Sequence, residues 1–127
     1  MKCIKSLFAF ATFFTINTAS ADELVKKWTQ IKAYHEVITK TFQSNEVNLD
    51  SMKSNSKILL EIAENLTVET MPEEFRNPKV IETLLTLKKN TLLVNDLVKN
   101  SASDTEIKEA SQVLFSTFEK IKKLCVT

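Results

Sequence analysis

Apolar residues recur along this chain at alternating steps of four and three. Leu24, Trp28, Ile31, His35, Ile38 and Phe42 form the first such series, the inward stripe of an amphipathic helix. The spacing predicts a helix from about Asp22 to Phe42, fraying at Gln43-Ser44-Asn45. Asp22 and Glu23 set negative charge at its start, where the helix dipole favours it. Five of the six stripe residues are apolar. The sixth, His35, is the single histidine of the sequence.

Three further series follow. Leu49, Met52, Ser56, Leu59, Ala63 and Leu66 predict a second helix, capped by Asn48 or Asp50. Thr70-Met71-Pro72-Glu73 has the form of a capping box and predicts one short helical turn to Phe75, with Met71 and Phe75 folded over one end of the core. Asn77-Pro78 opens a third helix along Val80, Leu84, Leu87, Thr91, Val94 and Val98. After the break at Asn100–Ser103, the capping box Ser103-Asp104-Thr105-Glu106 starts a fourth, with Ile107, Ala110, Leu114, Phe118, Ile121 and Cys125 inward. Four helices of about 17 to 21 residues, roughly 25–30 Å long, joined by short links, predict an all-α fold. Its expected form is an antiparallel up-down-up-down four-helix bundle with a short extra helical turn between helices 2 and 3.

Composition narrows this picture. The chain of 127 residues has no glycine and two prolines. Without glycine, phosphate-cradling loops and nucleotide fingerprints are excluded, and hairpins of the Asn-Gly kind are missing. Residues 1–21 read as a secretory signal peptide: Lys2 and Lys5, the apolar run from Leu7 to Ile16, then Ala19-Ser20-Ala21. The alternative is a first core helix. The predicted domain is then 22–127, and the expected localisation is secreted or periplasmic. Taking Lys2 and Lys5 from the 17 basic residues leaves 15 against 16 acidic ones. That balance offers no electrostatic case for nucleic acid or an anionic membrane, and no stretch reads as a membrane span. One cysteine, Cys125, remains in the domain, so packing rather than disulfides must hold it. Cys125 is either a small buried hydrophobe or an exposed thiol, making the protein a monomer or a Cys125-linked dimer.

Candidate chemistry is sparse. Each of the first three stripes has one polar position, and antiparallel pairing puts His35, Ser56 and Thr91 in one middle layer, near Leu114 and Phe115. A buried imidazole needs partners for both nitrogens. His35 is therefore either a core histidine satisfied by two hydroxyls or a ligand to a metal or haem iron. The Cys-x-x-Cys-His signature of covalent haem is absent, as are a hydrolytic triad and His-x-x-x-His or Glu-x-x-His metal pairs. Glu61, Glu64, Glu73 and Glu74 read as solvated faces, and Asn65-Leu66-Thr67 matches a glycosylation acceptor.

Trp28-x-x-Ile31-x-x-x-His35-Glu36-Val37-Ile38-x-x-Thr41-Phe42, with Leu114, Phe118, Ile121 and Cys125 in the last helix, resembles a group of small exported four-helix proteins. Those carry His-x-x-x-x-x-Thr-Phe-His-Pro in helix 1 and Leu-His-x-x-Phe-His-x-Ile in helix 4. The group is similar in architecture to c-prime and b-type cytochrome bundles, and its histidines imply metal binding. Here His35 is kept, but Gln43, Phe115 and Glu119 stand where that pattern has histidine, and Ser44 where it has proline. The resemblance thus implies a degenerate site in which only Glu119 could assist His35. Two ligands are too few for tight transition-metal binding. The resulting expectation is a non-enzymatic, structural or partner-binding protein. Its alternative is a weak binder of a transition metal or b-type haem through His35 and Glu119. A chaperone-like role would need a large exposed apolar patch, and the stripe residues are all used internally.

Overall fold

The computed structural model describes residues 24–125. The signal peptide read from residues 1–21 lies outside them. The described chain is all-α apart from one two-residue ribbon. Its elements are α1 (Thr29–Lys40), β1 (Phe42–Gln43), β2 (Glu46–Val47), α2 (Leu49–Glu64), a 3-10 turn (Glu73–Phe75), α3 (Pro78–Lys99) and α4 (Asp104–Leu124). Residues 24–27 are also helical. Along the chain α1 packs on α2, α2 on α3 and α3 on α4.

Local chemistry sets most helix starts. The Asn48 side chain accepts from the Ser51 amide at 3.1 Å, so the cap of α2 is Asn48 and not Asp50. Asn77 accepts from the Val80 amide at 3.0 Å, with Pro78 behind it in the first turn. Ser103 and Glu106 close the reciprocal capping box of α4. All three are contacts across three residues, which is why they are readable from a sequence.

Four expectations are corrected. The first helix is interrupted: residues 24–27 are helical, Trp28 is extended (φ −117°, ψ 95°) and α1 restarts at Thr29, while the expected start at Asp22 lies outside the described residues. Gln43–Asn45 do not fray. Gln43 pairs with Glu46 and Phe42 with Val47 in an antiparallel ribbon, closed by Ser44 (φ 51°) and Asn45 (φ 68°). Positive φ at both central residues is the two-residue hairpin geometry usually given to glycine, met here by a serine and an asparagine. The Thr70 capping box does not form. The Thr70 hydroxyl turns back onto the Thr67 carbonyl at 3.0 Å, and the 3-10 turn starts after Pro72 without a side-chain cap. The fourth concerns His35 and is taken up below.

The core joins all these elements. Trp28 is fully buried and donates from Nε1 to Thr70 Oγ1 at 3.4 Å. Met71 and Phe75 are buried as expected. Arg76 clamps that connection, donating from Nε to the Met71 carbonyl (2.8 Å) and from its guanidinium to the Glu69 carbonyl (3.2 Å).

Candidate functional site

The residue of α1 that meets the Thr91 hydroxyl is Tyr34. Tyr34 is fully buried, and its hydroxyl lies 2.8 Å from Thr91 Oγ1. Thr91 spends its own proton on the Leu87 carbonyl at 2.7 Å. A hydroxyl has one proton, so Tyr34 is the donor in the pair. Burial pushes the Tyr34 phenol well above its ordinary 10.0. The expected third member, Ser56, donates instead to Asn95 Oδ1 at 3.3 Å. A phenol has one polar atom to satisfy beside a large apolar ring, and the Thr91 hydroxyl satisfies it.

His35 lies one position round the helix and is partly buried. Its ring sits 5.8 Å from that of Phe118, whose centroid is also 5.3 Å from Tyr34. Lys122 Nζ lies 5.5 Å over the same Phe118 ring and binds the Glu119 carboxylate at 2.8 Å. Phe115, expected level with His35, stacks on Phe42 at 4.3 Å. Among the described residues no three His, Cys, Asp or Glu side chains are gathered as a metal would need. Cys125 caps the end of α4, packs against the core and is half-buried. Burial raises its thiol from 9.0 to about 11, so little thiolate forms at neutral pH.

Sequence reasoning missed several buried polar residues, Asn95 and Ser111 among them. Both lie one position from an expected stripe residue, Val94 and Ala110. The Ser111 hydroxyl is buried with no hydrogen-bond partner among the described residues.

Sequence reasoning also missed an apolar surface. Leu93 on α3 and Val113 on α4 are 49% and 55% exposed, large values for residues on helices that pack on each other. They share one shallow depression of about 300 Å³, lined further by Leu97 and Ala110 and ending at Glu106 and Glu109. A second of about 310 Å³ continues past Val113 along α4 to Lys120. Asn90 Nδ2 donates to Thr117 Oγ1 at 3.1 Å across the floor. The first lies between α3 and α4 and the second extends it along α4, so the groove is apolar at Leu93 and Val113, acidic at one end and basic at the other. No helix of the described residues is long and apolar enough to cross a membrane. Such a groove suits the face of a helix more than an enclosed small molecule. Set against protein-family models, curated proteins and solved structures, the chain matches none.

Proposed function

We propose that this is an exported, non-enzymatic protein-binding module that takes an amphipathic helix in the groove between α3 and α4. The observation that carries the reading is the half-exposed pair Leu93 and Val113 at the middle of that groove. We read the scaffold as an antiparallel up-down-up-down four-helix bundle, related in plan to the cytochrome-like bundles. Cross-contacts support the plan. Tyr34 meets Phe118 while Phe42, in β1 just past the end of α1, meets the earlier Phe115, so α1 and α4 run in opposite directions. Export rests on the residue pattern of 1–21.

Methyl resonances of Leu93, Leu97 and Val113 test the binding role. Titration with synthetic amphipathic helical peptides, bearing a basic and an acidic end, should shift them and leave the exposed Ile58 and Leu85 methyls in place. No shift at the groove with any peptide, nor with rising concentration of the protein itself, would overturn the reading.

The metal or haem reading of His35 and Glu119 has less support. It offers two donors, and the Glu119 carboxylate already holds Lys122. Metal analysis and an absorption spectrum with added haem separate the two readings. A Soret shift lost in His35→Ala would favour the haem site.

A further inference from the structure

The groove has a symmetry that names one occupant. Glu106, Val113 and Lys120 are spaced seven residues apart on α4. Seven residues are nearly two helical turns, so the three lie almost on one line, drifting about 20° per step. The acidic and basic ends are therefore equidistant from Val113, each about 10 Å away. A two-fold axis at Val113 that lays a second α4 antiparallel on the first brings each end opposite its complement. It also sets Ala110 against Ser116, two small residues that let the helices approach. Val113 meets its own copy at the axis, with Leu93 flanking it from α3.

We infer that a second copy of this chain docks in the α3–α4 groove about a two-fold axis at Val113, with Glu106 of each copy facing the partner's Lys120. This rests on the binding role proposed for the groove and says what fills it. Glu106 already accepts from the Ser103 amide and hydroxyl through Oε1 at 3.2 Å, and a carboxylate has a second oxygen to offer. The interface is isologous, so each ion pair occurs twice. Its size is adequate. Helices of 22 and 21 residues are each about 30 Å long, and a face two helices wide buries about 600 Å² per copy, about 1,200 Å² in total. That is the lower end of specific interfaces and describes a reversible dimer.

Sedimentation equilibrium of the full chain over about 1 to 200 µM tests it, with circular dichroism confirming that each variant is folded. The wild type should dimerise, unaffected by reductant, and should dissociate more readily as salt rises. Lys120→Glu puts two pairs of carboxylates face to face and should weaken association about tenfold. Adding Glu106→Gln, which keeps the capping box, should recover most of that loss. Val113→Asp, at an exposed position that the fold does not need, should abolish the dimer. A monomeric wild type at 200 µM overturns the inference, as does a dimer lost on reduction. So does a dimer indifferent to Lys120→Glu or Val113→Asp, or a loss in Lys120→Glu that Glu106→Gln does not relieve. A monomer whose Leu93 and Val113 methyls still shift with helical peptides would remove the second copy while leaving the groove a binding site.

Discussion

The Tyr34 hydroxyl donates to Thr91 Oγ1 across 2.8 Å, and Thr91 passes its own proton to the Leu87 carbonyl. The two ends of that chain of hydrogen bonds are not equivalent. Tyr34→Phe removes the donor and leaves Thr91 still bonded to Leu87, a loss of about 1 kcal/mol. Thr91→Val keeps the shape but strands a buried phenol without an acceptor, costing about 1–3 kcal/mol. Urea denaturation of both variants should show the larger drop for Thr91→Val; the reverse order would mean that the donor is assigned the wrong way round.

Tyr34 and Cys125 make stability sensitive to alkali. The folded chain holds the Tyr34 phenol above its ordinary 10.0 and the Cys125 thiol up at about 11. The unfolded chain releases both protons first, so it binds fewer protons at high pH and stability falls as pH rises. This contribution is intact below about pH 9. Cys125 loses its part between about 9 and 11, and Tyr34 loses its part from 10 upward. Denaturation midpoints measured from pH 7 to 11 should fall across that range. Tyr34→Phe should flatten the fall above 10, and Cys125→Ser the earlier part.

Ser111 is a buried hydroxyl that gains nothing from its polarity. Ser111→Ala should leave stability unchanged or raise it by about 1 kcal/mol. Ser56→Ala should instead destabilise, because Asn95 Oδ1 loses its donor. Thermal melts of the two variants should move in different directions.

Ser101 ends α3 in the left-handed region at φ 55°. The Ala102 amide donates to the Leu97 carbonyl at 2.9 Å and the Ser101 amide to the Val98 carbonyl at 3.1 Å, the Schellman pattern in which glycine usually holds this place. Ser101→Gly should stabilise the protein by about 1 kcal/mol, since a side chain costs about that much at positive φ. A lowered melting temperature would contradict the assignment.

Trp28 joins the start of the described chain to the connection before α3 through a buried ring. Trp28→Ala should cost about 3–5 kcal/mol. An unchanged denaturation midpoint would mean that the ring is not packed in the core.

The sequence by itself determined where α2, α3 and α4 begin. Asn48, Asn77-Pro78 and Ser103 with Glu106 act across three residues, and no distant part of the chain alters that chemistry. It also determined most of the core, because apolar stripes at steps of three and four have one inward solution. Only the tertiary structure decided between neighbours on a helix. Tyr34 and His35 are about 100° apart, and each belongs to a plausible stripe. The choice went to Tyr34 because a hydroxyl on α3, some sixty residues later, offers one bond to one polar atom. Val94 and Asn95, or Ala110 and Ser111, pose the same question. The Ser44-Asn45 turn and the exposed Leu93 and Val113 likewise depend on what stands beside them, which spacing along a single strand of residues does not encode.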